Sequence, residues 1–300
     1  MFTVNYFDSF AALVLYAATM YDQYPNDIMP PPDPRIEKDG WKLRAYISCN
    51  YYYTFMNTKT NKKELIFSDD RVNHGYIAER IENPGEYFVA LRGTKTFEEA
   101  LKDLNVGYIQ PWPDTPEQSV FEGFYSVYKS LNLVVPDNTT GIDYSQLELA
   151  DAITQLIGVA SCCTISGHSL GAAVVTYLMR DIYNKAPYYR SCLFASPNVG
   201  NDEFVEYVSE HFKDYNVLNY INDLIPELPP NSEQLPNVIT LYPRDDVIID
   251  DSITCKHTIL TYLALINKYK FFDVLDGDYP IDQATWNECL RVSLQEEMTK

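Results

Sequence analysis

Thr164-Ile165-Ser166-Gly167-His168-Ser169-Leu170-Gly171-Ala172-Ala173 sets a serine at the centre of a Gly-X-Ser-X-Gly pentapeptide, between an apolar run and an apolar helical pattern. Ala160 to Ile165 predicts a short buried strand and Ala172 to Tyr183 a helix, so Ser169 falls on the turn that joins them. Glycine at 167 and 171, with the small Ala172 and Ala173 beyond, lets strand, turn and helix approach more closely than side chains would allow. Such a turn lifts the serine hydroxyl out at the top of a sheet. It also aims the first N–H groups of the helix, Leu170's in particular, at the place where an oxyanion would form. The pentapeptide alone also fits a glycine-rich turn with an incidental serine; the flanking strand and helix favour a nucleophile.

The rest of the pattern supplies a sheet for that turn. Asp8 to Tyr21 has helical spacing, and Tyr24 to Gly40, with five prolines, predicts a stiff surface wrap without regular structure. Strands are expected at Leu43 to Cys49, Leu65 to Phe67, Gly75 to Ile81 and Glu86 to Leu91, the last two joined by the turn Glu82-Asn83-Pro84-Gly85. Helices follow at Phe124 to Leu133 and Tyr144 to Val159. Strand and helix then alternate: strands at Cys192 to Ala195, Val217 to Ile221 and Val238 to Tyr242, helices at Glu203 to Phe212 and His257 to Tyr269. Alternation with strands apolar on both faces predicts a mostly parallel sheet covered by helices.

The net charge of −19, from 23 basic and 42 acidic residues, disfavours nucleic acid and anionic membrane surfaces by repulsion. A 46% hydrophobic content over 300 residues suffices for a packed core, and the chain is expected to form a single domain over 1–300. The apolar run Phe10 to Met20 is too short to span a bilayer and reads as a core helix, so no transmembrane segment is expected. The six cysteines show no metal-type spacing and predict no metal site; Cys162 and Cys163 lie in the buried strand as small hydrophobes. That usage favours a reducing compartment, and a cytoplasmic location is expected.

A serine nucleophile needs a histidine base and a carboxylate to orient it, in the chain order Ser, Asp, His. Of the four histidines, His74 precedes the serine, the elbow turns His168 away from its neighbour's hydroxyl, and His211 precedes the best acid. His257 remains. For the acid, Asp223 follows the strand Val217 to Ile221 at its C-terminal end, the edge where open α/β sheets place ligand chemistry, and stands alone among apolar residues. Its rivals Asp245, Asp246, Asp250 and Asp251 cluster in a charged segment with hairpin character, the signature of a solvated face.

Several stretches resemble, in order, the motifs of the class 3 (fungal-type) lipases of the α/β-hydrolase superfamily. Tyr87 to Thr94 resembles that family's strand ending in arginine, glycine and serine or threonine; Phe121-Glu122-Gly123-Phe124 its turn before a helix; the pentapeptide its elbow. Ser196 to Asn201 resembles its proline-to-asparagine loop, Asn222 to Pro230 its acid loop, and Lys256-His257 its last histidine. Asn198 stands where arginine is usual, Ala172 where glycine is frequent, and the interval from acid to histidine is short. The resemblance implies an α/β-hydrolase fold, a triad of Ser169, Asp223 and His257, and Thr94 as an oxyanion residue beside the Leu170 N–H. It implies hydrolysis of carboxylic esters of lipids without metal or cofactor, with a lipid ester, triacylglycerol or another neutral acylglycerol first, as substrate at a neutral lipid interface. A phospholipase A1, a general carboxylesterase and an idle lipase-like binding module are the alternatives. After Thr94, Phe97, Leu101 and Leu104 share one helical face. In the family this position is a lid, and ordinary core packing is the competing reading.

Overall fold

The computed structural model describes residues 6–57, 62–94, 107–136, 138–139, 141–158, 162–185 and 188–293. Its strands are β1 (Trp41–Asn57), β2 (Lys62–Arg80), β3 (Tyr87–Leu91), β4 (Tyr108–Ile109), β5 (Val120–Phe121) and β6 (Asn132–Val134). There follow β7 (Cys162–His168), β8 (Tyr188–Phe194), β9 (Tyr215–Tyr220), β10 (Val238–Leu241), β11 (Val247–Ile249) and β12 (Leu290–Val292). Eight of them form one sheet in the order β10-β9-β8-β7-β3-β2-β1-β6. From β10 to β3 every neighbour is parallel. From β3 to β6 every neighbour is antiparallel. This mixed α/β sheet, parallel where the elbow sits and flanked by helices, is the architecture of the α/β-hydrolase fold.

Period-two alternation sorts side chains into two cores, one on each face of the sheet. On β3, Val89 and Leu91 enter the core beneath the helices Glu122–Lys129, Leu149–Ile157, Leu170–Ile182 and Asp202–His211. Phe88 and Ala90 enter the other, beneath the helices Phe7–Gln23, Ile259–Ile266 and Lys268–Leu275. With both faces covered, β3 is apolar on alternate and intervening positions alike.

Local differences from the sequence expectation have identifiable causes. The proline-rich wrap contains a short helix, Pro34–Lys38: Pro34 takes the first helical position, where no N–H is needed, and Asp33 accepts from the Arg35 N–H at 2.9 Å. The expected helix Phe124 to Leu133 ends at Lys129, and Asn132–Val134 is drawn into the sheet as β6 against β1. The expected helix from His257 to Tyr269 is three helices, broken at Thr258 and at Asn267, whose side chain accepts from the N–H groups of Tyr269 and Lys270. The charged segment around Asp245 supplies β11, whose partner is β12 from the far end of the chain. A last helix, Pro280–Cys289, leads into β12.

Cys255 and Cys289 form a disulfide across 34 residues, a pairing their spacing does not signal. A structural disulfide belongs to an oxidising compartment, so the cysteine argument for a reducing, cytoplasmic one does not hold. Among the described residues no helix is long and apolar enough to cross a membrane.

Candidate active site

Ser169 sits between β7 and the helix Leu170–Ile182 with φ 57° and ψ −125°, a conformation that costs a non-glycine residue energy and persists only when its surroundings enforce it. They do. A Cβ on Gly167 would lie 2.4 Å from the Gly171 carbonyl carbon, and one on Gly171 would lie 2.4 Å from the Leu91 carbonyl oxygen. Strand, turn and helix therefore touch through backbone. The Ser169 N–H donates to the Phe194 carbonyl at 3.0 Å, and its own carbonyl accepts from Ala172 and Ala173. Ser169 is buried, and its Oγ has no hydrogen-bond partner among the described residues. A buried hydroxyl without a partner on a strained turn is a feature that calls for a functional explanation.

Asp223 lies in the loop after β9. Its Oδ1 accepts from the Ile225 N–H at 3.0 Å, and its Oδ2 accepts from the Tyr262 hydroxyl at 2.8 Å and from His257 Nδ1 at 2.7 Å. A carboxylate only accepts, so Nδ1 of His257 carries the proton and Nε2 the lone pair, the tautomer a general base requires. Burial and the Asp223 charge push the Tyr262 hydroxyl well above its ordinary value, which keeps it a donor. His257 is fully buried and closes the helix Ile253–His257, where the sequence reading had it open one.

His168, the residue before Ser169, connects the two halves. Its Nε2 donates to the His257 carbonyl at 2.6 Å, and the two rings lie 4.7 Å apart. The chain turns away at Thr258, so this carbonyl has left the helical pattern, and His168 satisfies it. Burial, and then the neighbouring His257, hold the His168 ring well below the usual histidine range, so it stays neutral. One hydrogen bond thus fixes the backbone of His257 to the residue adjoining Ser169. The other histidines lie elsewhere: His211 bonds its own helix at the Tyr207 carbonyl, and His74 is buried within β2.

Thr94 stands two residues beyond Arg92, whose guanidinium bonds the carbonyls of Asn73 and Gly93 at 3.0 and 2.8 Å and lies 3.4 Å from the centre of the Tyr21 ring. That clamp presses Gly93 against the elbow: a Cβ there would come within 2.9 Å of the Ser169 Cβ. Thr94 is half-buried at the edge of a cavity of about 310 Å³ whose wall includes Gly93 and His168. Leu170 is buried as the first residue of the elbow helix. Phe97, Leu101 and Leu104 fall outside the described residues. Trp112 is buried, stacked on Phe204 at 5.4 Å.

Two contributors escaped the sequence reading. Tyr262 lies within an apolar helix, where a buried tyrosine's need for a polar partner was the one signal. The elbow motif turns His168 away from the serine hydroxyl, and its bond to His257, 89 residues on, has no local sign.

Residues 88–233 match the family described as Lipase (class 3). The chain is 33% identical to Phospholipase A1-II 3 of Oryza sativa subsp. indica over 43% of its own length and 36% of the relative's. It is 25% identical to Galactolipase DONGLE, chloroplastic, of Arabidopsis thaliana over 77% of its length and 56% of the relative's, so the match spans from 36% to 56% of the length of these two curated relatives. The crystal structure of a mutant form of MDLA from Penicillium cyclopium superimposes with a TM-score of 0.55 at 20% identity, covering 81% of this chain and 83% of that one, and shares its fold. The matched segment runs from β3 through the elbow and the acid loop to Glu233, and over that stretch the chain is similar to the class 3 lipases.

Proposed function

We propose that this chain is a single-domain serine esterase that hydrolyses carboxylic esters of lipids, with Ser169 as nucleophile, His257 as base and Asp223 as the residue that orients it. The observation that carries this is the fully buried Asp223–His257 pair, joined through His168 to a strained serine whose hydroxyl lacks a partner among the described residues. His257 Nε2 takes the Ser169 proton as Oγ attacks the ester carbonyl, and the N–H groups of Thr94 and Leu170 receive the oxyanion. Collapse expels the alcohol, which leaves with the proton from His257. Water then attacks the acyl-enzyme, gives its proton to His257 and releases the carboxylic acid, restoring Ser169. Asp223, held by Tyr262 and the Ile225 N–H, stabilises the imidazolium in both halves.

A neutral acylglycerol is the first choice of substrate, because a net charge of −19 opposes docking on anionic lipid. Relatives named phospholipase A1 favour a second reading, cleavage of a phospholipid acyl ester. Turnover of p-nitrophenyl butyrate tests the chemistry: Ser169→Ala and His257→Ala should each lose on the order of a million-fold in kcat, as members of a unit do, while His211→Ala keeps its rate. Near-wild-type turnover in His257→Ala would exclude it as the base.

A further inference from the structure

We propose that Asn138 carries an N-linked glycan whose first sugar packs into the groove beside it, on the edge of the sheet opposite Ser169. Asn138-Thr139-Thr140 is the one Asn-X-Ser/Thr sequence in the chain, the acceptor signal for that modification. The signal is used where a chain enters a secretory route, and the Cys255–Cys289 disulfide belongs to the same oxidising surroundings. Of the four remaining thiols, Cys49, Cys163 and Cys192 are buried, out of reach of further oxidation.

The loop that holds Asn138 follows β6. Strand β6 is antiparallel to β1, β1 to β2 and β2 to β3, while β3 is parallel to β7. Strand β6 therefore runs against β7, and its C-terminal end lies on the edge away from the elbow. Asn138 and Thr139 are exposed, and Gly141, at φ +73°, has nothing within 4 Å of where a Cβ would stand. Thr140, the third residue of the signal, falls outside the described residues. Beside Asn138 an open groove of about 420 Å³ is walled largely by Leu133, Val134, Val135, Ile142 and Tyr144, between β6 and the short helix Tyr144–Gln146. A pyranose ring presents C–H groups on its faces, and this wall takes them out of water.

The amide of Asn138 has two N–H groups, and Nδ2 donates one to the Ile142 carbonyl at 2.6 Å. The sugar replaces the other. Nδ2 attacks C1 of an oligosaccharide carried on a polyprenyl diphosphate; the N–C1 bond forms, the bond from C1 to the diphosphate oxygen breaks, and one amide proton is lost. The N–H that remains keeps its bond to Ile142, which holds the first sugar against the groove.

The test expresses the full chain behind a secretory leader in cells held at high-mannose glycans. One glycan per chain should map to Asn138, be lost in Asn138→Gln and in Thr140→Ala, and persist in Thr140→Ser. Endoglycosidase H, which leaves a single sugar, should keep the melting temperature of the glycosylated protein. Complete removal by peptide N-glycosidase should lower it by about 2 °C or more, to the value of Asn138→Gln. Turnover of p-nitrophenyl butyrate should be the same in all these forms, because the glycan is on the far edge. An unmodified Asn138, or a glycan that persists in Asn138→Gln, would overturn the site. Equal melting of the one-sugar and stripped forms would overturn the packing, and a rate that depends on the glycan would overturn its placement.

Discussion

The serine side and the histidine side of the site are held by different physics. Around Ser169 the contacts are backbone on backbone: Gly167 against Gly171, Gly171 against the Leu91 carbonyl, Gly93 against Ser169 itself. Around His257 they are polar side chains and cross-links from distant parts of the chain. Asp223 gathers Tyr262, His257 and the Ile225 N–H. The disulfide ties Cys255, two residues before His257, to the end of the last helix, and near that helix's start Asp282 is bonded to buried Arg35, which also holds Asp33. The elbow is rigid because nothing larger than glycine fits, whereas the base is rigid because many partners converge on it.

The largest expected effect breaks the histidine side at its remotest anchor. Asp282→Ala removes one of the two carboxylates paired with a guanidinium that is 1% exposed. A severed buried pair costs roughly 3–5 kcal/mol, read as a lower midpoint in urea unfolding. Asp282→Ala with wild-type stability would mean this cluster does not hold the last helix.

Next in size is the elbow. Gly171→Ala would place a methyl 2.4 Å from the Leu91 carbonyl oxygen, which backbone must yield to relieve. Overpacking of this kind costs about 3 kcal/mol, while Ala172→Gly, one residue on, should cost no more than about 1 kcal/mol. Equal unfolding midpoints for the two variants would show that the turn tolerates expansion.

Polar deletions should then separate the two sides. Tyr262→Phe removes a donor to the buried Asp223 carboxylate and should cost roughly 1.5–3 kcal/mol. Ser166→Ala, inside β7, removes a hydroxyl bonded to the Cys192 carbonyl and should cost no more than about 1.5 kcal/mol. His168→Leu acts on the join: it orphans the His257 carbonyl and should lower kcat by about tenfold to a hundredfold with KM little changed, and His168→Gln should restore part of it. Full activity in His168→Leu would show that the base is positioned without it.

The contrast also explains what the sequence made legible. The elbow, its strand and its helix are local, and glycine spacing with flanking hydrophobicity is enough to find them. Chain order and the apolar setting of Asp223 led to the pair it forms with His257 at 2.7 Å. What escaped was non-local. Neither Cys255 nor Asp282 carries a mark of a partner 34 or 247 residues away, and β6 and β11 are strands because of what pairs with them. Propensity cannot report such partners.

A smaller, global effect comes from histidines buried without charge. Burial is the main reason that His74 and His168 both lie well below the usual histidine range, with Arg92 and His257 respectively adding to it. The unfolded chain binds protons near pH 6.5 that the folded chain refuses. Stability is therefore fully present above about pH 6.5 and falls as the pH drops below it, with a slope of up to about 1.4 kcal/mol per pH unit for each group. His74→Phe should flatten part of that slope in urea titrations between pH 5 and pH 7.

The most direct test is reaction with a fluorophosphonate, read by intact mass and peptide mapping. It asks whether the backbone-held serine and the polar-held base act as one device. One adduct per chain on Ser169, absent in Ser169→Ala and formed at least about a thousandfold more slowly in His257→Ala, is the expected result. An adduct on another residue, or labelling of Ser169 at the same rate without His257, would contradict it.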